Sequence, residues 1–270
     1  VSLKEASIWS IVWIGLSLLF NLGLLFFSGP EPAIQFLTGY LIEKSLSIDN
    51  IFIFVLLFAS FKLPSQYQHR VLFWGVLGAL LMRGALIAVG TVLIQQFHWI
   101  IYIFGAFLIV TGIRMVLKKE GTIHPNQNPI VKLVRGIVPV TNDYQKDHFV
   151  VKQNGKLWLT PLLLVLVVIE TSDLLFAVDS IPAIFAVTQD PFIVYTSNIF
   201  AIMGLRSLYF VLADIIKKFY YLKIALAIIL AFVGLKMLSS HFVHLPEYGS
   251  LLFIVLVLSV AIVASLKHAK

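Results

Sequence analysis

The sequence predicts an all-α, polytopic membrane protein with about eight transmembrane helices, and three observations support this fold class. First, 60% of the 270 residues are hydrophobic and Phe occurs 22 times, whereas soluble domains are about 45–50% apolar. Second, apolar segments of about 20 residues or more, long enough to cross a bilayer, recur along the chain. Third, the basic residues cluster in short connections on one side, as the positive-inside rule describes. A net charge of +7 placed in this way favours anionic lipid over nucleic acid as the partner.

Eight segments qualify as spans, and their connections fix the predicted topology. The spans are 6–28, 33–61, 71–95, 99–117, 160–187, 192–216, 220–240 and 248–266. The connections near 29–32, 96–99, 188–191 and 242–247 contain no Lys or Arg, so the opposite side and both ends of the chain are predicted to be cytoplasmic.

Two parts of the chain resemble each other. IEKS at 42–45 matches IETS at 169–172, DNI at 49–51 matches DSI at 179–181, and GIRM at 112–115 matches GLKM at 234–237. Each copy contains three spans, which is an odd number, so the second copy must enter the membrane from the opposite side, which gives inverted repeats. The predicted organisation is a flanking helix (1–32), a first three-helix repeat (33–118), a cytoplasmic loop (119–159), a second repeat (160–241) and a C-terminal helix (242–270).

The long loop carries one clear local signal. Asn154-Gly155 separates two short apolar runs, a pattern that predicts a β-hairpin over 149–159. The loop is interpreted as an ordinary linker between repeats, with a soluble cap as the alternative.

Acidic residues interrupt the apolar sequence once in each repeat. An ionised side chain at the centre of a span costs about 2.5–3.5 kcal/mol, so several of them require a compensating positive charge, and we interpret this charge as a bound cation. The candidate ligands are the carboxylates of Glu43, Asp49, Glu170, Asp173 and Asp179, with Ser47, Asn50 and Ser180. Oxygen donors without Cys favour Mn²⁺, Mg²⁺ or Ca²⁺ without ranking them. The alternative is a set of buried polar links between helices.

The spacing of the acids predicts a particular backbone. Carboxylates six residues apart lie about 240° apart around a continuous helix, so we expect local unwinding near 45–50 and near 172–182, the second aided by Pro182. Arg83 and Arg206 lie at corresponding places in the two repeats and are expected to be counter-ions when no cation is bound. Snorkelling to an interface is the alternative for both, and no special role is expected for Lys44.

The chain resembles the TerC/Alx family of integral membrane proteins over nearly all of its length. YLIEKSLSIDNIF at 40–52, FAVDSIPAIFA at 176–186 and TSNIFAIMGLR at 196–206 carry the resemblance most specifically. It implies export of Mn²⁺, with the five acids named above as the metal-site acids. Family members usually have a further hydrophobic segment before the one near Ala6, which leaves open whether an N-terminal helix precedes this chain.

These inferences together predict a transporter in a bacterial cytoplasmic membrane. It would export a divalent metal, Mn²⁺ by the resemblance, by alternating access between the repeats, with proton uptake by the same acids as a further expectation because burial disfavours an ionised carboxylate. The expected partners are the cation, as transported substrate, and the bilayer; a homo-oligomer is left open. No enzyme activity, organic cofactor or nucleic acid is expected.

Two other functional classes compete with transport. One is a non-transporting membrane scaffold in a metal or tellurite stress-response or protein-insertion complex, docking through 119–159. The other, an intramembrane aspartyl protease, is disfavoured because no Gly-Xaa-Gly-Asp motif occurs.

Overall fold

The computed structural model describes residues 3–117, 129–153, 155–213, 221–240, 242 and 246–268, with the side chains of Asp49 and His268 outside the description. These residues form ten helices and one β-hairpin. They are α1 (Leu3–Phe27), α2 (Pro30–Ser60), α3 (Ser65–Gln96), α4 (Ile100–Leu117), α5 (Pro129–Ile137), β1 (Val150–Gln153), β2 (Lys156–Leu159), α6 (Pro161–Phe185), α7 (Pro191–Met203), α8 (Leu205–Leu212), α9 (Leu222–Ser239) and α10 (Glu247–His268).

The helices confirm the all-α, polytopic membrane fold. Among the described residues, six helices are long and apolar enough to cross a bilayer, namely α1, α3, α4, α6, α9 and α10. The 31-residue α2 is as long as a span requires but carries more charge, including Glu43 and Lys44. The apolar α7 is shorter, at 13 residues. The count of eight spans, which would include α2 and the α7–α8 segment, remains a prediction.

The predicted local unwinding of the two acidic helices is wrong. Both α2 and α6 are continuous through their acidic stretches. Pro182 lies in the last turn of α6, so the backbone hydrogen bond that it removes is confined to the helix end. The helix interruption lies elsewhere, at Gly204, which divides the predicted span 192–216 into α7 and α8.

Two corresponding helices of the predicted repeats, α4 and α9, pack against each other in antiparallel orientation. The most extensive pairing in the described part joins α4 to α9. A Cβ on Gly105 would lie 2.9 Å from the Gly234 carbonyl oxygen, and one on Gly112 would lie 2.8 Å from the Ala227 oxygen, so these glycines allow the backbones into contact. Equivalent helices in antiparallel contact are what inverted repeats would produce, although the repeat itself remains a prediction.

The segment between α5 and α6 forms the expected hairpin. Strands β1 and β2 pair antiparallel with Val150 opposite Leu159, and Gly155 has a φ of +76°, a conformation that suits glycine. The Tyr144 hydroxyl donates to the Phe61 carbonyl at the end of α2 over 2.8 Å, and burial raises the pKa of Tyr144 to about 12. The hairpin prediction is thus confirmed, while Asn154 lies outside the described residues.

Candidate functional site

A buried arginine on α3 binds carboxylates from two other helices. Arg83, which is 1% exposed, meets Asp173 of α6 in a two-pronged contact, with Nε donating to Oδ2 over 2.9 Å and Nη2 to Oδ1 over 2.8 Å. Its Nη1 donates to Glu43 Oε1 of α2. Glu43 and Asp173 are 0% and 3% exposed. The planar guanidinium therefore satisfies two carboxylates in a space that excludes water.

Two neutral side chains complete the contacts around the guanidinium. Asn198 of α7 donates its amide to Glu43 Oε2 over 3.1 Å, and its carbonyl oxygen lies 3.4 Å from Arg83 Nη1. The Ser180 hydroxyl of α6 lies 3.5 Å from the same Nη1. Four helices thus contribute one polar group or more to a single point, and we call Glu43, Arg83, Asp173, Ser180 and Asn198 the arginine cluster.

The arginine cluster lies far from either end of its helices. Glu43 and Asp173 occupy the middle of α2 and α6, and Arg83 is more than four turns into α3. In helices that cross a bilayer, these positions correspond to the hydrocarbon core. One guanidinium faces two carboxylates, so the ionised cluster carries a net charge of −1.

The inward stripe of α2 continues beyond the cluster. Ser47 and Asn50 follow Glu43 at the i+4 and i+7 positions, on the same helix face. Both side chains are buried, and Ser47 Oγ and Asn50 Oδ1 have no hydrogen-bond partner. On α6, Ser180 follows Asp173 at the i+7 position, as Asn50 follows Glu43 on α2. Buried oxygen atoms therefore continue along α2 beyond Glu43.

The remaining predicted acids lie outside the arginine cluster. The Glu170 carboxylate lies against the backbone of α3, where a Cβ on Gly78 would come within 2.0 Å of Oε1, and Glu170 Oε2 is buried without a partner. Asp179 Oδ1 accepts a hydrogen bond from the Thr111 hydroxyl of α4 over 3.2 Å. The side chain of Asp49 lies outside the described residues. No group of three or more His, Asp or Glu in the described part is arranged to hold a metal ion.

The two arginines that were predicted to be equivalent differ in their surroundings. Arg83 contacts the acids, whereas Arg206 of α8 lines a separate cavity near α1 and takes no part in the ion pairs of Glu43 and Asp173. The expectation that both arginines would meet the acids therefore fails for Arg206 in this structure. The break at Gly204 lies two residues before Arg206 and starts a new helix, which turns that side chain away from the cluster.

Lys44 has a structural contact that sequence reasoning missed. Its Nζ donates to the Ala201 carbonyl over 3.1 Å, and it lies 3.2 Å from the position that a Cβ on Gly204 would occupy. Ala201 belongs to the last turn of α7, where carbonyls lack donors within the helix. Glu43 contacts α7 through Asn198, so this acidic–basic pair of α2 holds α7 at two points. The sequence signal for such a contact is a charged lysine deep within an apolar span.

The chain is similar to known membrane proteins along its whole length. The family described as integral membrane protein TerC matches residues 28–270. An uncharacterized membrane protein of Myxococcus xanthus is 51% identical over 272 residues, which cover 100% of this chain and 85% of the relative. Alx of Escherichia coli K12, described only provisionally as a membrane-bound redox modulator, is 50% identical over 93% of this chain and 81% of its own length. The Salmonella typhi protein of the same description is 49% identical. No solved structure matches.

Proposed function

Because the chain belongs to the TerC family of integral membrane proteins, we propose that it exports a divalent cation, Mn²⁺, across a bacterial cytoplasmic membrane. One observation carries the proposal. Two fully buried carboxylates, Glu43 and Asp173, converge on a single positive charge supplied by Arg83. A site that stabilises one cation at this point has the charge to stabilise another when the guanidinium withdraws.

The donor atoms suit a hard divalent cation. Four oxygen-bearing groups contact the guanidinium of Arg83: the carboxylates of Glu43 and Asp173, the Asn198 carbonyl oxygen and the Ser180 hydroxyl. All of these donors are oxygens, which favour Mn²⁺, Mg²⁺ and Ca²⁺ over softer metals. Among the three we propose Mn²⁺, because the resemblance to the TerC/Alx family implies export of that ion.

Exchange between the arginine and the metal supplies a transport cycle. In the present arrangement Arg83 closes the site, because its guanidinium occupies the space between α2 and α6. Entry of a cation between the two carboxylates would release Arg83. After the cation leaves, the guanidinium would return to the carboxylates, because two buried carboxylates without a counter-ion are strongly unfavourable. Proton uptake by the acids would supply a second way of discharging them. Glu170 and Asp179 provide further carboxylates along α6.

Metal uptake into inside-out vesicles, in which export appears as uptake, tests the proposal. Mn²⁺, Mg²⁺, Ca²⁺ and Zn²⁺ are compared for the wild type and for Glu43→Gln and Asp173→Asn. Glu31→Gln is the matched control, because Glu31 is an exposed acid in the first turn of the same helix as Glu43. We expect Mn²⁺ uptake that is lost in both cluster variants and retained in the control.

The opposite result would favour the scaffold. If folded wild-type protein takes up none of the four metals, or both cluster variants take up Mn²⁺ normally, the transport proposal is wrong. Deletion of residues 129–159 would then be expected to abolish the cellular function while acid substitutions are tolerated.

The provisional description of the relatives as redox modulators is compatible with the proposal. These 270 residues contain no cysteine, so thiol–disulfide exchange is not available to them. Export of a redox-active metal would influence the redox state of the cell without a redox-active side chain in this chain.

A further inference from the structure

A cavity of about 370 Å³ lies between α1, α3 and α8, apart from the arginine cluster. Its walls are largely aromatic and aliphatic. Trp9 and Trp13 of α1, Phe73 and Leu77 of α3 and Phe210 of α8 line it. The volume falls within the range of roughly 300–1,000 Å³ that is typical of small-molecule sites. Such walls offer a surface for a hydrocarbon chain.

The same cavity is also lined by a basic side chain, Arg206. Arg206 is only partly buried. Glu5 also lines the cavity. His69 lies at the cavity as an exposed side chain. A basic side chain beside an apolar pocket is complementary to an anionic amphiphile.

The place of the cavity in the fold fits this chemistry. Its lining residues lie in the N-terminal halves of α1 and α3, from Glu5 to Trp13 and from His69 to Leu80. The distribution of basic residues assigns this end of each helix to the cytoplasm. Anionic lipids are concentrated in that leaflet, and basic pockets between helices on the cytoplasmic side bind their headgroups. Trp side chains are also typical of this depth.

We propose that the cavity binds an anionic phospholipid of the cytoplasmic leaflet. The headgroup phosphate contacts Arg206, and one acyl chain lies between the aromatic side chains of α1 and α3. The bound lipid also contacts Met203, next to the break at Gly204, so it fills the space beside the start of α8. This inference stands on the cavity and on Arg206, and it does not depend on metal transport.

Native mass spectrometry of the full chain in neutral detergent tests the proposal with three added lipids: dioleoylphosphatidylglycerol, dioleoylphosphatidylcholine and oleate. The variants are Arg206→Gln, which removes the charge, and Leu77→Trp, which fills the cavity and keeps the charge. Arg114→Gln is the matched control, because Arg114 is an exposed basic residue of α4 that is remote from the cavity lining. Thermal unfolding establishes that each variant is folded.

We expect the wild type to bind phosphatidylglycerol at least about tenfold more tightly than phosphatidylcholine, the size of one charge-assisted contact. Arg206→Gln should remove this preference, Leu77→Trp should reduce binding of phosphatidylglycerol about tenfold or more, and the control should match the wild type. If either variant that folds binds phosphatidylglycerol as the wild type does, the proposal is wrong. Tighter binding of oleate than of phosphatidylglycerol would overturn the phospholipid assignment. The lipid-binding experiment contains no added metal. Its outcome therefore does not depend on whether the vesicle assay detects uptake of Mn²⁺.

Discussion

Replacement of Arg83 by Gln tests how the arginine cluster is stabilised. The substitution keeps a polar side chain of smaller size but removes the only positive charge that contacts Glu43 and Asp173 in the described residues. Both carboxylates would then stand buried without a counter-ion, since Asn198 and Ser180 are neutral. We expect Arg83→Gln to be less stable to unfolding than the wild type. We also expect divalent metal to stabilise the variant more than it stabilises the wild type.

The magnitude follows from the contacts. Arg83 makes a two-pronged contact with Asp173 and a further one with Glu43, and removing one partner of a buried ion pair costs about 3–5 kcal/mol. For a chain of this size, such a loss lowers the melting temperature on the order of 10 °C. A metal bound to the two carboxylates that Arg83 no longer contacts, at a hundred times its Kd, would restore about 2.7 kcal/mol.

Thermal unfolding of purified protein, with and without Mn²⁺, measures both effects. We expect Arg83→Gln to melt well below the control Arg114→Gln, and we expect Mn²⁺ to raise its melting temperature more than that of the wild type. The triple variant with Glu43→Gln and Asp173→Asn should recover stability, because no buried charge remains, and should lose the response to Mn²⁺. Equal melting of Arg83→Gln and its control, or an Mn²⁺ response no larger than that of the wild type, would refute the reasoning.

Three other substitutions test contacts around the site and the loop. Lys44→Met removes the side-chain donor to the Ala201 carbonyl of α7, so the free energy of unfolding should fall by about 1–3 kcal/mol; an unchanged melting curve would contradict this. Gly78→Ala places a Cβ 2.0 Å from Glu170 Oε1 and should reduce Mn²⁺ uptake severalfold, whereas Gly15→Ala, with nothing within 4 Å, should match the wild type. Burial raises the pKa of Tyr144 from 10.0 to about 12, so the stability advantage of the wild type over Tyr144→Phe should be constant below pH 10 and decline toward pH 12. Thermal unfolding of both proteins as a function of pH measures this difference. An advantage that persists beyond pH 12 would contradict the prediction.

Much of the fold is predictable from the sequence because hydrophobic length decides which segments can cross a membrane. The membrane-spanning class and the hairpin at Gly155 both follow from local patterns. The continuity of α2 and α6 does not. The prediction of unwinding assumed that one helix must aim several acids at one point. In the structure Glu43 and Asp173 come from different helices, so each helix needs to turn only one carboxylate inward and remains intact.

The pairing of acids was harder to predict than their identity. The sequence match aligned Glu43 with Glu170, but the structure places Glu43 opposite Asp173. Glu43 and Asp173 are 130 residues apart, the same separation that relates Asn50 to Ser180. A single offset of 130 residues therefore relates the buried polar residues Glu43 and Asn50 of α2 to Asp173 and Ser180 of α6. Local similarity cannot distinguish neighbouring acids on one helix, because the choice depends on which face the tertiary packing turns inward.

The different surroundings of Arg83 and Arg206 also required the structure. Both lie in apolar segments after an acidic helix, and the sequence treats them alike. The break at Gly204, with Lys44 donating to the carbonyl of Ala201, separates Arg206 from the cluster. This contact joins residues 157 positions apart, and no local pattern in the sequence identifies Ala201 as the partner of Lys44.

The most direct test of the account locates the metal itself. A crystal of the wild-type protein grown with Mn²⁺ would show the ion by anomalous scattering. The account predicts a peak between the Glu43 and Asp173 carboxylates, with the Arg83 guanidinium displaced from them. A peak elsewhere, or no peak with Arg83 still bound to both acids at saturating Mn²⁺, would contradict the claim that arginine and metal exchange at one site.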